Sequence, residues 1–182
     1  MTYVSYQKHT SLKNLALKFE ALELIIPSNK ARGGAAVIIR ESIKHYEELK
    51  YSINSIQASS VKVESKRYKF VVTALYSPPR HKIESNDYTK FLKTLGNKFI
   101  VGGDFNAKNK YWGSRFTLPK GRELLKSGKS LQCEFVAGSG PSYWPTDLNK
   151  QPDVIDIFIV KGLSTNYMKA ESCYDLSSDH TL

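Results

Sequence analysis

Residues 99–107 read FIVGGDFNA. An apolar run, Phe99-Ile100-Val101, ends on Gly102-Gly103, and a carboxylate and an amide follow one residue apart at Asp104 and Asn106. On an extended segment that spacing sends both polar groups to one side and Phe105 to the other, as an anchor. The glycines let the backbone pack closely and turn. Asp and Asn also bond their own backbone in tight turns. The stretch therefore reads either as a strand ending in a turn or as a strand delivering two polar groups to a site.

Similar runs flank it. Residues 68–76, YKFVVTALY, are rich in β-branched and aromatic types and stop at Pro78-Pro79, which cannot donate to a strand ladder. Between the two runs the spacing predicts a helix. Ser85 or Asn86 caps it, Tyr88, Phe91, Leu92 and Leu95 share a face, and Gly96 stops it. Further upstream, Ile56, Ala58, Val61 and Val63 predict a half-buried strand with a slip, read as a bulge, near Ser59-Ser60. Residues 35–39 predict a buried strand after Gly33-Gly34. Residues 12–25 mix a helical spacing (Leu12, Leu15, Ala16, Phe19) with a strand alternation (Leu22, Leu24, Ile26). Downstream, a short helix is expected around 122–126, ended by Gly128, with strands at 133–137 and 154–160. Several strands separated by few helices make a layered α/β or α+β domain.

The 182 residues suit one domain, 1–182, with 41% hydrophobic and 24% charged residues. No apolar run reaches the roughly 18 residues a membrane span needs, and the N-terminus does not read as a secretion signal. Cys133 and Cys173 are too few for a disulfide framework and lack metal-ligand spacing, so no disulfide partner and a reducing compartment are expected. The net charge is +10, unevenly spread: residues 62–129 hold sixteen Lys or Arg against five Asp or Glu, and 130–182 hold three against seven. A basic middle beside an acid-rich end suits a polyanionic partner, although a solvated basic surface looks the same.

Each apolar run of the second half ends near, or contains, a polar group that a core strand would exclude. Asp156 is embedded in VIDIFIV, where a carboxylate is costly unless paired. His180, in the terminal Asp179-His180, is its natural partner, because a carboxylate can orient and charge an imidazole. Tyr76 closes the 68–76 run. No nucleophilic Ser or Cys elbow, phosphate-binding glycine loop or zinc-type spacing is present. Tyr, Asp-x-Asn, a buried Asp and Asp-His together suit metal-assisted attack of water on a phosphodiester.

In order, LYSPP (75–79), GGDFNA (102–107), YWPT (143–146), PDVIDIFIV (152–160) and DLSSDH (175–180) resemble the endonuclease/exonuclease/phosphatase superfamily. ARGGAAVIIR (31–40), WGSR (112–115) and PKGR (119–122) are similar, more narrowly, to the apurinic-type endonuclease domain of jockey-like non-LTR retrotransposons. The resemblance implies a four-layered α/β sandwich of deoxyribonuclease-I type, with the active site at one end of two packed sheets. It gives Asp104 the role of orienting the attacking water, Asn106 and Ser142 that of holding phosphate, and Tyr76 that of stabilising the transition state. His180 would contact the scissile phosphate, supported by Asp156, and Asp179 would lie near a Mg²⁺ or Mn²⁺ ion. Lys108, Lys110, Arg115 and Lys120 are expected beside the nucleic acid. The expected function is nicking of chromosomal DNA in the nucleus to prime a linked reverse transcriptase.

Two departures accompany the resemblance. The chain is expected to be truncated at both ends of the domain. The usual glutamate metal ligand is matched by Gln7 in VSYQKH (4–9), a neutral amide beside Lys8, which would weaken cation binding. The competing expectations are a decayed retroelement remnant that at most binds nucleic acid, and a phosphomonoesterase of the same superfamily.

Overall fold

A computed structural model describes residues 2–8, 12–20, 35–39, 41–48, 50–64 and 68–172. The chain opens with β1 (Thr2–Lys8), β2 (Leu12–Glu20) and β3 (Ala36–Ile38), followed by β4 (His45–Glu47), β5 (Tyr51–Ile53), β6 (Ile56–Glu64) and β7 (Lys69–Tyr76). Helix α1 (Ser85–Thr94) leads to β8 (Phe99–Asp104), and helix α2 (Pro119–Ser130) to β9 (Glu134–Val136), β10 (Asp156–Lys161) and β11 (Met168–Ser172). The strands form a four-stranded sheet, β11-β1-β2-β3, and a seven-stranded sheet, β4-β6-β7-β8-β10-β9, with β5 also on β6. Neighbouring strands are antiparallel except β7 and β8, whose parallel pairing needs the crossover that α1 provides.

The strands at the centre of the larger sheet are buried on both faces, which is why they read as nearly unbroken apolar runs. One face carries Ile56, Ala58, Leu75, Phe99, Val101, Ile157 and Ile159 against Tyr88, Phe91 and Leu92 of α1 and Leu124 of α2. The other carries Val61, Val63, Val72, Ile100, Phe158 and Val160 against Val37, Met168 and Ala170 of the second sheet. Full burial of each such side chain contributes about 1.5–3 kcal/mol. Three layers are thus described: a four-stranded sheet, the central sheet and the helices.

Several expectations are corrected. The pairing of β6 with β7 runs without interruption from Gln57↔Tyr76 to Glu64↔Lys69, so no bulge interrupts it. The apparent slip arises because β6 feeds the helix-side core with Ile56 and Ala58 and the inter-sheet core with Val61 and Val63. Buried Ser60 is tolerated because its hydroxyl lies 2.8 Å from that of Thr73. The cap of α1 is Glu84, whose N–H donates to Asp87 Oδ2 at 3.2 Å, while Gly96 takes the left-handed conformation just past the helix end. Helix α2 starts at Pro119, which suits a first turn, and runs past Gly128. That glycine lies against the Phe135 ring, where a Cβ would collide. Residues 12–20 are strand throughout. Gly33 and Gly34 lie outside the described residues.

Candidate active site

The three strand ends at the middle of the larger sheet meet in one row. Tyr76, the last residue of β7, pairs with Asp104, the last of β8. Asp104 pairs in turn with Asp156, the first residue of β10. Residues directly opposite on neighbouring strands project from the same face. Tyr76, Asp104 and Asp156 therefore share the face that carries the inter-sheet core, at its open end. The two carboxylates are buried, with Asp104 5% and Asp156 2% exposed.

Asp104 is held ready by its own turn. Its Oδ1 accepts the Asn106 N–H at 2.7 Å and its Oδ2 accepts the Asn106 amide at 2.6 Å. Asn106 has φ 46°, so the chain turns here and does not continue extended. The polar pair lies together because of this turn. The turn reading of GGDFNA therefore holds, and the same turn brings the two polar groups together. Phe105 is fully buried, as an anchor should be. Gly103 has φ 137°, and a Cβ there would fall on the Leu75 carbonyl, so only glycine brings β7 and β8 close enough for the row.

The surrounding loops fix this arrangement from two sides. Ser77 N–H donates to Asp104 O at 2.8 Å, and Ser77 O accepts the Asn106 amide at 3.3 Å. Lys120, in the first turn of α2, donates to Ser77 O at 3.0 Å and Pro78 O at 2.8 Å. Burial pushes its ammonium down to about 8, opposed by the Asp104 carboxylate nearby. On the other side, Ser142 is buried, and its Oγ accepts the N–H groups of Ile155 at 3.0 Å and Asp156 at 2.9 Å. It thereby seats the start of β10.

Asp153, which sequence reasoning did not single out, is a second organising carboxylate. Its Oδ1 accepts the N–H groups of Arg115 and Val154, both at 2.9 Å, and its Oδ2 lies 2.8 Å from Lys108 Nζ. Burial pushes its carboxyl up, but Lys108 and the two N–H groups outweigh it and hold the carboxyl below the usual range. The available signal was an acid at the edge of an apolar strand, already quoted in PDVIDIFIV. Lys108 and Arg115 line an open cleft with Tyr143, Pro145, Asn149 and Lys150. Lys110 is exposed at the start of a 3₁₀ turn over Lys110–Trp112, and the Arg115 guanidinium lies 5.1 Å from the centre of the Phe116 ring.

Asp179 and His180 lie outside the described residues, and of Gln7 only the backbone, in β1, is described. Among the described residues, no three His, Cys, Asp or Glu side chains gather as a metal-binding group. What the row offers is carboxylate and amide oxygen, the donor type a hard divalent cation takes.

This architecture matches a solved fold. The endonuclease domain of TRAS1, a telomere-specific non-LTR retrotransposon, superposes with a TM-score of 0.67 over 90% of this chain and 76% of that one, at 18% identity. The fold is therefore of the deoxyribonuclease-I-like α/β class. The family model described as endonuclease-reverse transcriptase matches residues 70–182, and the chain belongs to that family. The RNA-directed DNA polymerase from mobile element jockey of Drosophila funebris is 33% identical over 155 residues, 85% of this chain. Its Drosophila melanogaster counterpart is 32% identical over 154 residues, again 85% of this chain. The chain spans 17% of the length of each of these two relatives.

Proposed function

We propose that this chain is the endonuclease domain of a non-LTR retrotransposon, hydrolysing one phosphodiester of target DNA so that the freed 3′ hydroxyl primes reverse transcription. The observation that supports it best is the row Tyr76–Asp104–Asp156, with the Asn106 amide bonded to Asp104. In this reading Asp104 orients the attacking water and accepts its proton at Oδ, and Asn106 holds a phosphate oxygen. The Tyr76 hydroxyl donates to the oxygen on which charge develops. Asp156 orients His180, whose imidazole contacts the phosphate. Lys108, Lys110 and Arg115 take up flanking phosphates, a role supported for Lys108 and Arg115 by the open cleft they line with Lys150.

Asp179 and the residue at position 7 would hold Mg²⁺ or Mn²⁺, which when bound stabilises negative charge on the phosphate. In this reading the substrate is chromosomal DNA in the nucleus, and the partner, since the relatives are named RNA-directed DNA polymerases, is a reverse transcriptase region of a longer protein. A supercoiled-plasmid assay with and without Mg²⁺ tests the proposal. Metal-dependent nicking by the chain, lost in Asp104→Ala, supports it. Nicking no greater than that of Asp104→Ala overturns it. A second reading, a decayed remnant that binds DNA without cutting it, rests on the resemblance, which matches Gln7 to the family's glutamate metal ligand.

A further inference from the structure

Lys120 lies in the basic tract and by sequence alone is one more cation for the nucleic acid, yet its ammonium is turned inward. Both of its hydrogen bonds go to main-chain carbonyls of the turn after Tyr76, those of Ser77 and Pro78, at 3.0 and 2.8 Å. Ser77 is itself the link between strand ends. Its N–H reaches Asp104 O, its carbonyl accepts the Asn106 amide, and its hydroxyl donates to Ser55 O at 2.7 Å.

The base of Lys120 is equally fixed. Leu118 N–H donates to Lys108 O at 3.0 Å, and the Asn109 amide donates to Gly121 O at 3.2 Å. Gly121 lies so close to the Lys108 carbonyl that a Cβ would collide with it. The start of α2 is thus anchored to the loop that follows Asn106, while its lysine grips the loop that follows Tyr76.

We propose that Lys120 is a positioning residue for the nicking reaction, a clamp that holds the Ser77-Pro78 turn against Asn106 and so sets Tyr76 relative to Asp104, and not a contact to the nucleic-acid backbone. The inference rests on the endonuclease reading for its catalytic consequence but not for the clamp itself. If the ammonium were drawn out to a phosphate, both carbonyl bonds would be given up. Ser77 O and Pro78 O would be left with the Asn106 amide and the His81 N–H, at 3.3 and 3.5 Å, neither of which ties the turn to α2.

Lys120→Met keeps the length and packing of the side chain and removes its donors, whereas Lys120→Arg keeps donors. Lys120→Met is expected to lower kcat for plasmid nicking roughly ten- to a hundredfold, the effect of a displaced catalytic group, with KM for DNA unchanged. The salt dependence of DNA binding should also stay the same, and Lys120→Arg should recover most of the rate. A backbone contact gives the opposite pattern: kcat kept, KM raised, and a salt slope reduced by about one. That result overturns the proposal.

Amide hydrogen exchange reads the clamp without any activity. The Ser77 and Asn106 amides should exchange faster in Lys120→Met while those of Val72 and Ile100 keep their protection. If the wild-type chain does not nick, the endonuclease reading fails while exchange still decides the clamp. Unchanged exchange at both Ser77 and Asn106 overturns it. Should Val72 lose protection too, the variant has opened globally, and Lys120→Gln, whose amide ends one bond short of the Lys120 Nζ position, replaces it under the same expectations.

Discussion

Asp104 and Asp156 stand directly opposite one another on antiparallel neighbouring strands, both buried, at the end of a core that is otherwise apolar. Like charges opposite each other across a strand pair are unfavourable, so the arrangement costs stability that the fold recovers elsewhere. Asp156→Asn is therefore expected to lose at least tenfold in nicking rate while its thermal midpoint stays within a few degrees of wild type. A large fall in midpoint with activity retained would show the carboxylate to be structural.

Gly103 tests how closely the row must be built. A side chain there meets the Leu75 carbonyl, and its φ of 137° is strained for any other residue. Gly103→Ala should destabilise the domain by about 3 kcal/mol, through strain and through separating β7 from β8. Urea unfolding measures the first effect. Gly140→Ala is the control, since a Cβ there meets nothing within 4 Å. Equal stability of the two variants would mean that the strands tolerate the separation.

The two acids of PDVIDIFIV show what the sequence could and could not carry. An acid inside an apolar run is legible because burial makes it expensive, and Asp156 stood out for that reason. Asp153 sits at the edge of the apolar run, just after Pro152, where an acid is unremarkable, and its partners are mostly backbone N–H groups, which leave no pattern in the sequence. Lys120 escaped for the same reason, since its carbonyl partners at Ser77 and Pro78 are invisible to residue type. The end of β7 was read correctly from YKFVVTALY, where apolar periodicity and the proline stop agree. The strand expected over 98–101, by contrast, runs on through Gly102 and Gly103 to Asp104, because those glycines pair in the ladder and do not end it. Residues 12–25 were ambiguous because a helical spacing over Leu12–Phe19 runs into a strand alternation at Leu22, Leu24 and Ile26. Over 12–20 cross-strand pairing with β1 and β3 overrides the helical spacing, and 21–25 lie outside the described residues.

Asp153 gives a pH prediction. Its folded carboxyl titrates below the ordinary value of 3.8, so its contribution is present above that value and is lost as pH falls through the folded one. Asp153→Asn should cost about 2 kcal/mol at pH 7 and make acid unfolding less steep. Lys108→Met should cost less, about 1 kcal/mol, because the Lys108 side chain is 30% exposed against 1% for Asp153. A double-mutant cycle at pH 7 measures the pair, and zero coupling would assign the stability to the N–H bonds of Arg115 and Val154 alone.

Lys120 gives a second, of the same sign but in an alkaline window. Its folded value, about 8, lies below the ordinary 10.5. Between those limits the unfolded chain holds a proton that the folded chain has released, so stability from this group rises with pH across the window and is flat below it. The carbonyl bonds persist because a neutral amine still donates two protons. Wild-type stability relative to Lys120→Met should therefore increase between pH 7.5 and 9.5 in urea unfolding. A difference that does not vary with pH would place the ammonium in a better-solvated position.

In the endonuclease reading proposed above, Gln7 limits how much activity to expect. It lies in β1 of the smaller sheet, where the pairing with β2 shifts register between Tyr6 and Lys8. A neutral amide gives a hard cation one weak oxygen in place of a charged, potentially bidentate one. Each ~1.4 kcal/mol of charge stabilisation is worth tenfold in rate. Gln7→Glu is accordingly expected to raise nicking at least tenfold and to lower the Mg²⁺ concentration for half-maximal rate, with Mn²⁺ following the same order. If position 7 belongs to the cation site, the gain should vanish in the Gln7→Glu, Asp104→Ala double variant while tighter Mn²⁺ binding persists. A carboxylate at position 7 that changes neither rate nor metal binding would remove this residue from the site and leave the metal to other donors.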